Sequence, residues 1–145
     1  MTIEAVMPPE LPEGPAVNNS YCYGVRAGDT LHISGMVAFD SAGSIVGEGD
    51  VEAQLEQALT NLRHVVEAAG GTMANVVATT TYLVDVADAA KASAARARHF
   101  TGAVKPTHTV VGVAALARPA FLVEIEATAW LGPSTGSGPS TGSGT

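Results

Sequence analysis

Glu124 and Glu126 stand two apart in the run Val123-Glu124-Ile125-Glu126-Ala127. In an extended chain that spacing sends both carboxylates to one face. Such a pair forms a solvated face or a structural ion pair, or, where burial raises the pKa of one member, a group able to exchange a proton. His108 follows Pro106-Thr107 and brings an imidazole that titrates near neutral pH, able to bind a polar group or move a proton. Cys22 is the one cysteine, and no base stands at a motif spacing from it. It reads as a small buried hydrophobe rather than a nucleophile. His32 and His64 have no ligand partners, His99 lies beside Arg96 and Arg98, and no Cys/His cluster has zinc-site spacing, so no metal is expected. Ser34-Gly35 suits either close approach of a ligand to the backbone or a strand end that needs a tight turn.

The elements that must hold these residues follow from periodicity and turn chemistry. Met1 to Pro15 is acidic and Pro-rich and reads as coil. Tyr21 to Arg26 and Thr30 to Ser34 read as strands joined through Ala27-Gly28-Asp29, a hairpin, with Ser34-Gly35 ending the second strand. Residues 40–50 are Gly-, Ser- and Asp-rich and read as a loop. From Val51 to Ala69, Val51, Leu55, Ala58, Leu59, Leu62, Val65, Val66 and Ala69 recur at helical spacing, with Asp50 as cap and Gly70-Gly71 as stop. A strand over Asn75 to Val84, a helix over Asp88 to Phe100, and strands over Thr107 to Val113 and Phe121 to Trp130 complete the order β-β-α-β-α-β-β. That order predicts an α+β domain: a mainly antiparallel sheet with two helices on one face. Val110, Val111, Val113, Leu122, Val123 and Ile125 predict a second face too apolar to meet water, hence self-association.

The chain has 145 residues, enough for one domain, which we place at 1–131. Gly132 to Thr145 is a near-repeat of Gly, Ser, Thr and Pro that looks like a flexible engineered linker or tag remnant. The net charge is −7 and the cations are scattered, which argues against nucleic-acid binding. No stretch is long and apolar enough to span a membrane, and the N-terminal residues lack the pattern of a signal peptide. With a lone cysteine, these features fit the cytoplasm.

Several local patterns line up in order: Tyr21-Cys22-Tyr23-Gly24-Val25-Arg26-Ala27-Gly28-Asp29, Leu31-His32-Ile33-Ser34-Gly35, Gln57-Ala58-Leu59-Thr60-Asn61-Leu62, Val66-Glu67-Ala68-Ala69-Gly70 and Val123-Glu124-Ile125-Glu126-Ala127. The ordered set resembles the Rid family (reactive intermediate deaminases, also called YjgF or L-PSP endoribonucleases). The resemblance implies a chorismate-mutase-like fold and a homotrimer whose sheets form a central barrel, with small-molecule clefts between subunits. It implies hydrolysis of enamines and imines such as 2-aminoacrylate to 2-oxo acids and ammonia, with no cofactor. The family holds the substrate carboxylate with an arginine in a Pro-x-Arg segment; here that position carries His108, which has no bidentate fork. The resemblance makes Glu124 the residue that positions water and places Tyr21 in the cleft, with Tyr23 narrowing it and Ser34 and Gly35 near the ligand. His108 would then replace the arginine as a catalytic or binding group. One other reading stays open, a non-catalytic trimeric small-molecule binder or assembly scaffold; the RNA cleavage of the family's older name is opposed by the acidic balance and the lack of a basic patch.

Overall fold

Asp50 begins the long helix: its carboxylate accepts from the Ala53 amide at 3.1 Å. The helix, α1, runs Val51–Ala68, and Gly70 follows it with φ of +90°, a conformation that suits a residue without Cβ. Leu55, Leu59, Leu62, Val65 and Val66 are fully buried along one side. Gln54 and Asn61 are buried on the same helix. The computed structural model describes residues 2–12 and 20–133. The expected tail lies, from 134 onward, outside the described residues, as do residues 13–15 of the expected N-terminal coil.

Among the described residues six strands make one sheet: β1 (Ile3–Val6), β2 (Gly24–Ala27), β3 (Thr30–Met36), β4 (Val76–Leu83), β5 (Thr107–Gly112) and β6 (Val123–Trp130), in the spatial order β1-β2-β3-β6-β4-β5. Only β4 and β5 pair in parallel, joined by helix α2 (Ala89–His99). The architecture is the expected mainly antiparallel α+β fold, with α1 packed on β3 and β6 and α2 packed on α1. Leu31, Ile33, Met36, Leu83, Val123 and Ile125 join the leucines and valines of α1 in one core, where each fully buried leucine contributes about 2 kcal/mol.

Three expectations need correcting. The N-terminal segment is not all coil: Ile3–Val6 pairs antiparallel with β2, Ile3 opposite Ala27 and Val6 opposite Gly24. Four residues carry too short a pattern to announce a strand whose pairing lies some twenty residues away. Ser34-Gly35 does not end β3, which continues to Met36 through a register shift between Ile33 and Met36. The second sheet face is not the apolar surface expected. Val123, Ile125, Ala127 and Ala129 are buried toward the helices, while Glu124, Glu126, Thr128 and Trp130 alternate to the far side. Val110 and Leu122 also pack against the core. Of the six residues behind that expectation, Val111 is a large hydrophobic left exposed, at 37%.

The two buried carboxamides of α1 anchor the loops around the sheet's end. Gln54 Nε2 donates to Gly47 O at 3.1 Å and Ala120 O at 2.8 Å, and its Oε1 accepts from the Leu122 amide at 2.9 Å. Asn61 Nδ2 donates to Val37 O at 2.9 Å and Phe39 O at 3.0 Å, while Oδ1 accepts from Gln57 at 2.9 Å. Replacing Gln54 by Leu keeps the volume and orphans three backbone groups. Gln54→Leu is expected to lower unfolding free energy by about 3 kcal/mol, read as a lower urea midpoint, while Glu52→Gln on the exposed side leaves the midpoint unchanged.

Candidate functional site

The register shift in β3 leaves Gly35 facing the side chain of Glu124 on β6. A Cβ built on Gly35 would collide with the Glu124 carboxylate and with its Cγ and Cδ. The missing side chain is therefore what lets the carboxyl group lie against the β3 backbone. Burial is the first cause that pushes Glu124 above the usual carboxylate range, and the charge of Glu126 is the second. Glu126 itself accepts a hydrogen bond from the Tyr82 hydroxyl, which raises the Tyr82 pKa.

Glu124 and Gly35 line a cavity of about 370 Å³ walled by Tyr21, Tyr23, Phe39, Arg118 and Phe121. Tyr23 is buried, donates to Pro12 O at 2.5 Å, and packs edge-on against Tyr21 and Phe39 at 6.2 and 6.3 Å between centroids. Burial, then the neighbouring Tyr21, pushes its pKa up to about 12, so it is a neutral wall. Tyr21 is 44% exposed, and its ring forms the rim. Ser34 is not among the lining residues; its hydroxyl donates to Cys22 O at 2.7 Å and its amide to Tyr23 O at 2.8 Å, which ties the strand that carries Gly35. The guanidinium of Arg118 lies over the Phe121 ring at 5.6 Å.

His108 is elsewhere. It pairs with Thr79 on β4, whereas Glu124 pairs with Tyr82. Thr79 is buried on the helix side; Tyr82 and Glu124 share the opposite face. Two strand spacings and a three-residue offset put the α-carbons of His108 and Glu124 about 14 Å apart, with the sheet between the side chains. His108 lines a second cavity, of about 230 Å³, with Ser93, Arg96, Lys105, Pro106 and Phe100. Its imidazole is held below the usual range, first by burial and then by the charge of Arg96, so it is neutral at pH 7.

One chain thus brings together Glu124, Gly35, Tyr21 and Tyr23, and holds His108 apart from them. The first group is an aromatic-walled cavity whose one carboxyl group, poised to take or give a proton, can act on a water. Among the described residues no group of three or more His, Cys, Asp or Glu could hold a metal ion. Sequence reasoning did not assign Arg118 or Phe121 to the cavity, reading Phe121 as the start of the last strand, which begins at Val123 instead, and it could not place Arg96, which an Ala-rich helix pattern leaves undistinguished.

The sequence pattern of the endoribonuclease L-PSP family matches residues 12–131. The 2-iminobutanoate/2-iminopropanoate deaminase of Mus musculus is 39% identical over 122 residues, 83% of this chain and 88% of that protein. The YjgF gene product of E. coli is 32% identical with a TM-score of 0.78, over 88% of this chain and 98% of that one. A member of the conserved Rid protein family from Yersinia pestis is 26% identical with a TM-score of 0.82, over 89% of this chain and 99% of that one.

A carboxyl group whose pKa is raised in the folded state stabilises the fold only below its unfolded pKa, and that contribution is lost as pH rises through the folded value. Glu124→Gln removes the cost of the ionised form. Its Tm is expected to exceed the parent's at neutral pH, and the difference should close as pH falls toward about 4. A gain that persists unchanged in acid contradicts the assignment. Gly35→Ala is expected to expel the carboxyl group into solvent and return its pKa toward the ordinary range, visible by NMR titration of the Glu124 carboxyl carbon.

Proposed function

The chain belongs to the endoribonuclease L-PSP family, the Rid/YjgF group, and from that premise we propose that it hydrolyses a small imine or enamine, releasing ammonia. The observation that carries the reading is the half-buried Glu124 carboxyl lying on Gly35 in an aromatic cavity. An ionised Glu124 takes a proton from water as the water oxygen bonds to the imine carbon, and the C=N electron pair moves to nitrogen, which is protonated. The carbinolamine then collapses: its hydroxyl loses a proton, C=O forms and ammonia leaves. An enamine enters the same path after tautomerising to the imine. The upward shift of Glu124 suits it to both halves, because a carboxylate made more basic accepts the proton more readily and can then return it. Nothing in this sequence needs an electron sink or a redox partner, so we propose no cofactor. The relative named 2-iminobutanoate/2-iminopropanoate deaminase supports this substrate class.

We further propose that the chain works as a homotrimer with clefts between subunits. Support comes from the separation just described: a small imine cannot bridge about 14 Å and a sheet, whereas β5 is an edge strand of the sheet and is available to a neighbour. Trp130, 54% exposed, and Val111 lie on the uncovered face. In such a cleft Glu124, Tyr21 and Gly35 of one subunit would meet His108 of the next, where the neutral imidazole offers the substrate one donor and one acceptor. Tyr23 would set the cleft wall, and Ser34 would hold in place the strand that carries Gly35. No helix among the described residues is long and apolar enough to cross a membrane, and the free Cys22 thiol fits the reducing cytoplasm in which we place the reaction.

The purified chain is expected to release ammonia from 2-iminopropanoate generated in situ, with Glu124→Gln at least about 100-fold slower. Glu124→Gln and His108→Ala, each impaired alone, should regain activity when unfolded together and refolded as mixed oligomers. Ligand binding without ammonia release would make the protein a binder instead; activity in His108→Ala that mixing does not change would rule out the shared cleft.

A further inference from the structure

We propose that the cavity between α2 and β5 is a small-carboxylate site, in which Arg96 of the helix supplies the guanidinium fork that strand position 108 lacks. The inference rests on the hydrolase reading for the identity of its ligand, a 2-oxo or 2-imino acid, and on the geometry of the cavity for its chemistry.

Arg96 is only 8% exposed, yet it has no carboxylate partner among the described residues. The ion pairs among the described residues are Arg63–Glu67, Lys91–Asp88, Arg98–Glu56 and His99–Glu56. Arg98, two residues along the same helix, is exposed and holds Glu56 through Nε and Nη2. Arg96, the buried one, donates through Nη1 to Thr79 Oγ1 at 2.6 Å. Thr79 in turn donates to Thr107 O at 2.8 Å, so the guanidinium is braced against both β4 and β5. The Phe100 ring lies 5.3 Å from the guanidinium carbon. A guanidinium held by a hydrogen bond and an aromatic face has little rotamer freedom left to lose on binding.

What remains is the Nε–Nη2 edge, the side that presents two parallel N–H groups to a carboxylate. Neither atom has a hydrogen-bond partner among the described residues, and neither is among the sealed polar atoms there that lack one, which are His64 Nδ1 and Thr81 Oγ1. The open space that Arg96 reaches is the cavity of about 230 Å³ lined by Ser93, Lys105, Pro106 and His108. No acidic residue lines it, although the whole chain carries a net charge of −7. Lys105 adds a second cation, oriented by its bond to Phe100 O at 3.0 Å. A buried cation without a counter-ion is unfavourable, and an anion entering the cavity relieves it. One free planar edge favours a flat carboxylate over a tetrahedral phosphate. Neutral His108 and Ser93 supply polar contacts beside it.

The test is an NMR titration of the full ¹⁵N-labelled protein with sodium pyruvate, following the Arg96 Nε–H resonance. Saturable movement is expected. Arg96→Met, which keeps an apolar stem on Phe100, should weaken pyruvate binding at least about 30-fold, and Arg98→Gln should leave it unchanged. Arg96→Lys keeps the charge without the fork and should weaken binding about 10-fold; it carries the test if Arg96→Met fails to fold. Inorganic phosphate should bind more weakly than pyruvate. The proposal is overturned by pyruvate affinity unmoved in both Arg96 variants, by loss of binding in Arg118→Gln with Arg96→Met unaffected, by no saturable movement in the parent, or by phosphate binding at least as tight. Pyruvate binding that depends on Arg96 without any ammonia release sustains the site and removes the hydrolase reading; ammonia release with KM unmoved in Arg96→Met does the reverse.

Discussion

The buried side of α1 carries two carboxamides among its leucines and valines, and the walls of the Glu124 cavity hang from them. Gln54 satisfies three backbone groups on two loops, and Asn61 holds the carbonyls of Val37 and Phe39. Loops bring unpaired backbone groups wherever they cross a core. A helix that supplies donors and an acceptor from inside lets those loops lie close to the sheet without orphaned amides. Phe39 and Phe121, both cavity walls, stand on or beside the anchored residues. The cavity is thus shaped from behind by groups that never touch its contents.

The same economy of contacts governs the carboxyl group at its centre. Glu124 is raised toward neutrality because β3 offers it a glycine rather than a side chain, so the group settles into a half-buried position beside Glu126. A β-bulge is a common device for aiming a residue at a site, and here the irregularity between Ile33 and Met36 coincides with the glycine that admits the carboxyl group. On the other side of the sheet Arg96 is treated in the opposite way. It is buried and braced, with no counter-charge among the described residues. Glu124 and Arg96, one acidic and one basic, thus line separate cavities on opposite faces of the sheet.

Much of the fold could be read without coordinates, because helix α1 and strand β6 are written in strictly local patterns. The apolar spacing from Val51 to Val66, the Asp50 cap and the glycines after Ala69 each act within one or two turns. The alternation from Val123 to Trp130 correctly placed Glu124 and Glu126 on one face. It was less informative about which face. Val123 and Ile125 were counted toward an apolar outer surface, yet they are core residues, because the same alternation that exposes the glutamates turns them to the helices. Strand β1 escaped because four residues specify nothing until β2 is present to pair with them.

The sequence alone therefore determined the types and order of the elements after β1, and the shared face of Glu124 and Glu126, since these depend on periodicity, capping and residue chemistry within a few positions. Tertiary structure decided which side chains share a cavity. Gly35 meets Glu124 only through the β3–β6 register, and His108 is parted from Glu124 because β4 lies between their strands and the two side chains leave opposite faces of the sheet. Arg96 and Arg98 look alike in an Ala-rich helix, but two residues rotate them about 200° around its axis. That rotation sends one to Glu56 at the surface and the other under β4, against Thr79. Proximity between distant segments is set by strand pairing and packing, and no local pattern encodes it.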